Sequence, residues 1–157
     1  STSAVFNDTT PTSTVNTVQT NSGNNTNDAN YVMYSFAEKT GFSKFDSYTG
    51  NGNADGPFIY TGFKPAFIMI KRAVGGTDSW FINDTARATH NPSQQYMRPN
   101  ETSAEGTSTA HQIDILSNGF KIRSSDTAYN TSSNTYIYMA FAKEPLVSSN
   151  NIPATAR

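Results

Sequence analysis

Cysteine is absent from the 157-residue chain, which excludes a disulfide framework, a thiolate metal site and a thiol nucleophile. Charge is sparse as well. Eleven Lys and Arg stand against twelve Asp and Glu, so no basic field exists to hold a phosphate backbone, and nucleic acid is not an expected partner. The longest apolar stretches, residues 66–70 and 137–142, fall far short of the roughly 20 residues that a membrane-spanning helix needs. No membrane insertion is expected. Helical periodicity is missing from every window of eleven residues, which points away from an α-rich fold. The chain starts at Ser1 without an initiator Met, a basic segment or an apolar signal core, and on that ground it reads as an excised, processed or partially traced piece.

What fills the chain instead is Ser, Thr and Asn, 56 positions in all, more than a third of the total. Such a composition can mean disorder, but eight Tyr, ten Phe and one Trp are too many large rings for a chain with nothing to bury. Up to about residue 30 the chain reads as a loose, extended arm whose isolated apolar residues are Val5, Phe6, Val15 and Val18. Beyond that point apolar bursts are closed by Gly, Pro, Asn or Asp every five to ten residues, the rhythm of an all-β, antiparallel β-sandwich. The spacing predicts strands over 31–37, 42–48, 66–72, 79–83, 113–116, 120–123 and 135–142. Apolar residues take both parities in 66–72, as in a central strand covered on two faces. Asn118-Gly119 suits the positive φ angles of a tight hairpin between Ile113 to Leu116 and Phe120 to Arg123.

One internal repeat organises the chain. Tyr31-Val-Met-Tyr-Ser-Phe-Ala-Glu38 aligns with Tyr136-Ile-Tyr-Met-Ala-Phe-Ala-Lys143 at an offset of 105 residues, and Asn25-Thr26 answers Asn130-Thr131. Val18 answers Ile122 with a slip of one. An offset of that size is too long for a solenoid and matches a sandwich domain, so it implies tandem copies. Residues 1–40 are then an arm plus closing strands equivalent to the end of a preceding repeat, and 41–157 the sandwich domain itself. Period-2 alternation puts Ile137, Met139 and Phe141 on one face of the last strand and Tyr136, Tyr138, Ala140 and Ala142 on the other, and periodicity leaves open which face is the core.

Candidate chemistry is thin. Asn51, Asn53 and Asp55 have the alternate spacing of the first half of a calcium loop, but Gly62 stands where the bidentate acid belongs, and Pro57 favours a solvent-exposed turn. The two histidines, His90 with Asp84 before it and His111 between Glu105 and Asp114, read as surface residues, because no nucleophile elbow, metalloprotease or phosphate-loop motif accompanies them. Glu101 and Glu105 share a loop and do not form a facing carboxylate pair. No enzyme, cofactor or metal site is expected. The five Asn-x-Ser/Thr sequons, at Asn7, Asn24, Asn83, Asn100 and Asn130, are what this composition supplies by chance. For stacking on sugar rings the candidates are Trp80, Tyr60, Tyr96 and Tyr129, with a core role the simpler reading for Trp80 and half-buried packing for the three tyrosines.

The segment from Tyr48 to Arg72, Tyr-Thr-Gly-Asn-Gly-Asn-Ala-Asp-Gly-Pro-Phe-Ile-Tyr-Thr-Gly-Phe-Lys-Pro-Ala-Phe-Ile-Met-Ile-Lys-Arg, resembles a repeat domain of unassigned activity in tail-fibre-like and other virion proteins of marine tailed bacteriophages. Trp80 to Arg87, Ile113 to Arg123 and Tyr136 to Pro145, with the terminal Ala-Arg, resemble it too. The resemblance implies a lectin-like or jelly-roll-like sandwich at the virion surface, synthesised in the host cytoplasm and acting as a tail-fibre or appendage domain in assembly and host attachment. It further implies a homo-oligomer, a trimer first, in contact with other virion proteins. A carbohydrate-binding module taking a host-surface glycan and a capsid decoration protein are the alternatives. No catalytic residues come with the resemblance.

Overall fold

The computed structural model describes residues 9–144. The chain divides into two units between Phe36 and Ala37, a few residues before the boundary expected at 40. Val5, Phe6, Asn7, Pro145 and the terminal Ala156-Arg157 lie outside the described residues.

From Ala37 onward the described residues form nine strands: β1 (Ser43–Thr49), β2 (Phe58–Tyr60), β3 (Pro65–Arg72), β4 (Phe81–Asp84), β5 (Gln95–Tyr96), β6 (Gly106–Thr107), β7 (Ile113–Leu116), β8 (Gly119–Ile122) and β9 (Thr135–Ala142). A 3-10 turn (Thr109–His111) and one four-residue helix, α1 (Thr127–Asn130), interrupt them. Asp126 caps α1 by accepting the Ala128 N–H at 2.9 Å, and one turn of helix is too short to leave a periodic signature. The strands form a four-stranded sheet ordered β1-β9-β3-β4, a three-stranded sheet ordered β2-β8-β7 and the small β5-β6 pair. Every pairing is antiparallel.

The two larger sheets share one core. Ile68, Ile70, Tyr136, Tyr138 and Ala140 from the first meet Ile59, Ile113, Ile115, Phe120 and Ile122 from the second. Phe120 stands edge-on to both Tyr48 and Tyr138. Burying each of these large apolar side chains contributes about 2 kcal/mol, so the sandwich holds together without covalent staples. The core face of β9 is therefore the one with Tyr136, Tyr138 and Ala140, which settles the alternation that periodicity left open. β3 is interior to its sheet, with Ile68 and Ile70 fully buried and Phe67 and Met69 half-buried on the other face. On that outer face a row of apolar side chains, Phe45, Met139, Met69 and Ile82, crosses all four strands in register.

Several sequence expectations need correction. Residues 31–37 form no strand, because among the described residues no strand pairs with them. Trp80 is half-buried outside the core cluster, since β4 begins one residue later at Phe81, which takes the core position. The β7–β8 hairpin turns on Ser117-Asn118, and neither Asn118 nor Gly119 adopts a positive φ. Gly119 serves another purpose: it lies in β8, where a Cβ would sit 2.1 Å from the Ile59 carbonyl oxygen of β2. The short strands β2, β5 and β6 fall below the length at which alternation can be recognised.

Candidate functional site

Strand β2 presents the most exposed aromatic pair of the body. Ile59 turns into the core, so Phe58 and Tyr60 must project from the opposite face, and they are 46% and 64% exposed. Across the ladder Phe58 faces Lys121 and Tyr60 faces Gly119, so no neighbouring side chain crowds the Tyr60 ring from β8. Lys121 in turn pairs with Asp114 of β7. Beside the rings runs an ion cluster: Lys121 Nζ lies 2.9 Å from Asp55, Arg123 Nη1 3.5 Å from Asp55, and Arg123 Nε 3.4 Å from Asp114. The Lys121 ammonium, by its hydrogen bond and charge, holds the Asp55 carboxyl below the usual carboxylate range, with Arg123 adding to it and slight desolvation opposing. Two open rings flanked by charged donors and acceptors make a surface on which a sugar ring can stack by its apolar face and hydrogen-bond by its edge.

Of the other sugar-stacking candidates, none is an open platform. Tyr129 is fully buried, its hydroxyl donating to Asn83 Oδ1 at 2.8 Å, and the low-dielectric surroundings push its pKa well above the ordinary tyrosine value. Tyr96 leans on Phe81 and His111, with the Arg98 guanidinium 5.6 Å from its ring centroid. Only Tyr60 stays accessible, more so than the half-buried role expected of it.

In the loop over Asn51, Asn53 and Asp55 the two asparagine side-chain oxygens are already engaged by neighbouring N–H groups, and the Asp55 carboxylate by Lys121 and Arg123. Asn51 Oδ1 accepts the Asn53 N–H and an Asn130 amide proton, both at 2.9 Å, while Asn53 Oδ1 accepts the Asp55 N–H at 2.9 Å. The buried Asn130 fastens the loop from below: its Nδ2 faces Asn53 O at 2.7 Å and Ser124 O at 2.9 Å, and its Oδ1 accepts the Asn51 N–H at 2.7 Å. Gly50 and Gly56 permit this closeness, because a Cβ on either would meet the Asn130–Thr131 or Ile122 backbone. The alternate polar spacing thus encodes consecutive side-chain-closed turns.

The histidines separate. His90 is exposed and lines an open cleft of about 210 Å³ together with Lys64, Lys143, Asn91 and Thr85. His111 is half-buried rather than freely exposed: its ring sits 4.6 Å from Phe81, 4.4 Å from Tyr96 and 5.4 Å from Tyr129, and burial pushes its pKa down. Glu101 pairs with Arg98 at 2.9 Å and Glu105 lies 3.5 Å from Arg87, so the two carboxylates serve separate ion pairs. Asp84, next to the His90 loop, is held by Arg87. Among the described residues no group of three or more His, Asp or Glu comes together in a way that could hold a metal ion.

A family defined as a domain of unknown function, DUF7483, matches residues 1–145. The chain belongs to the DUF7483 family. No curated protein and no solved structure matches it. The aromatic face and the cleft of this DUF7483 chain both lie within the matched stretch.

Proposed function

We propose that this chain is a non-enzymatic structural domain of a bacteriophage virion appendage of the tail-fibre kind, which assembles as a homo-oligomer and touches the host surface. The observation that carries the reading is the Phe58–Tyr60 pair held outward on a strand whose middle residue is locked into the core. A rigid sandwich supplies the precision and the open rings supply the contact. Two further features support it. The segment from Tyr48 to Arg72, whose resemblance to virion repeat domains suggests the class, folds into the end of β1, the Asn130-fastened loop, β2 and β3, and so carries the contact face itself. The apolar row Phe45, Met139, Met69 and Ile82 gives copies a surface on which to pack, with a trimer as the proposed number. In salty surroundings a Debye length of a few Å weakens surface ion pairs, and an exterior of amides and hydroxyls loses little by comparison.

Gold-labelled antibody against the chain, imaged on intact particles by electron microscopy, tests the placement. Label on the tail or its fibres is the expected result. Label over the capsid turns the reading into a decoration protein, and unlabelled particles remove the virion assignment.

The same Phe58–Tyr60 face favours a second reading, a carbohydrate-binding module proper. Specific binding on a glycan array that is reduced at least about 10-fold by Tyr60→Ala, the order expected for one lost stacking contact, supports it. A chain that binds no glycan keeps its architectural role and loses this second one.

A further inference from the structure

The unit that ends at Phe36 contains a replica, hydrogen bond for hydrogen bond, of the corner that leads into β9. In the body, the Tyr136 hydroxyl donates to the Thr127 carbonyl at 2.6 Å and accepts the Thr131 N–H at 2.8 Å. In the first unit, the Tyr31 hydroxyl donates to the Ser22 carbonyl at 3.0 Å and accepts the Thr26 N–H at 3.1 Å. The threonines repeat as well, with Thr131 Oγ1 donating to Thr127 O at 3.4 Å and Thr26 Oγ1 to Ser22 O at 2.9 Å. The cap recurs: Asp126 Oδ1 accepts the Ala128 N–H at 2.9 Å, and Asn21 Oδ1 accepts the Gly23 N–H at 2.8 Å. Backbone bonds Asn130 N to Asp126 O and Asn25 N to Asn21 O are each 2.8 Å. Even the strained residue coincides, Ser133 at φ 64° and Asp28 at φ 60°. Every pair is separated by the same 105 positions that align the two strand sequences.

The two corners differ in what they meet. Tyr136 stacks on Tyr48 with centroids 5.0 Å apart and is fully buried, whereas Tyr31 is exposed. Asn130 is buried on its loop, whereas Asn25 is exposed. Beyond Tyr31 come Val32, Met33 and Tyr34, 80%, 65% and 81% exposed and in no strand pairing. A run of this kind, apolar and with its backbone unladdered, is a strand edge that proteins do not leave open. Its size order also fits the β9 position. Tyr31, Met33 and Ser35 reproduce the large, large, small sequence of Tyr136, Tyr138 and Ala140 on the core face.

We infer that residues 31–37 are the β9 strand of a second copy of this domain, entering between that copy's β1 and β3, with Tyr31, Met33 and Ser35 in its core and Asn25 fastening its equivalent of the loop at Asn51. The occupant of that gap is thus a neighbouring copy's closing strand, and each domain in an array is finished by the residues that lead into the next one. This assignment stands on the replicated corner and holds whether or not the protein is a virion appendage.

The test places residues 41–125 directly ahead of Asn21 in the chain, in place of residues 1–20, which preserves the spacing. Hydrogen–deuterium exchange is followed in the unaltered and the extended chain. In the extended chain the amides of residues 32–36 are expected to slow on the order of 100-fold, as backbone groups do when they join a sheet interior. Ser35→Asp, at the position matching buried Ala140, is expected to abolish that protection while β9 keeps its own. Equal exchange in the two chains overturns the inference, as does a placed segment 41–125 that shows no protection at all. Protection that survives Ser35→Asp overturns it too. So does slowing of the unaltered chain that grows with its concentration, because an already complete copy has only its sheet edges to offer.

Discussion

His111 shows how much a single residue's meaning depends on its neighbours in space. In the sequence it and His90 look alike, each in a polar stretch with acids nearby, yet His90 is exposed and His111 is half-buried among aromatic rings. The rings around His111 come from β4, β5 and α1, residues 15 to 30 positions away, and no local pattern announces such a cluster. Desolvation by these rings is the main reason for its lowered pKa, with the Arg98 charge acting the same way and Asp126, 3.8 Å away, opposing. The folded state therefore favours neutral imidazole, while the unfolded chain takes up a proton near the ordinary value of 6.5. A depressed histidine contributes stability that is complete above that value and is lost as pH falls from it toward the folded pKa. Thermal unfolding of the wild type and of His111→Gln, measured between about pH 7.5 and pH 5, checks this. The wild type is expected to lose more of its melting temperature on acidification than the variant does. Parallel curves would show that His111 is not desolvated.

At the scale of elements, legibility followed length and burial. β1, β3, β7, β8 and β9 were readable because each carries four or more residues with core-facing positions filled by Ile, Phe or Tyr. β2 was not, since three residues with one buried position make no pattern, and yet it bears the candidate contact face. The Gly119 signal was read for the wrong cause: Asn-Gly marks a hairpin, and a hairpin is there, but the glycine is required by the approach of β2 to β8. Residues 31–37 are the instructive failure. Their composition is that of a strand, and a strand is a property of a pair; a sequence closely related to the fully laddered β9 stays unladdered here, where no partner sheet is described. The candidate site was partly legible, in that Tyr60 was one of four tyrosine and tryptophan candidates, while Phe58 and the Asp55–Lys121–Arg123 cluster required the β2–β8 register.

For the molecule as a whole, the division at Phe36 and Ala37 predicts which part needs which. All the residues of the core cluster, from Tyr48 to Ala140, and all nine strands belong to the unit that begins at Ala37. The replicated corner contributes nothing to that list; its hydrogen bonds close within residues 21–31. A chain beginning at Ala37 is thus expected to fold with one cooperative transition and to melt within about 5 °C of the full chain, a shift equivalent to about 1 kcal/mol in a domain of this size. Circular dichroism and differential scanning calorimetry on the two chains measure it. A drop beyond about 10 °C, or loss of cooperativity, would mean that the N-terminal unit is part of this body's own core, in which case its strand is not held in reserve for another copy. The opposite result separates two roles that one sequence pattern carries: the copy of the strand at 135–142 stabilises the domain in which it lies, and the copy at 31–37 costs its own domain nothing to give away.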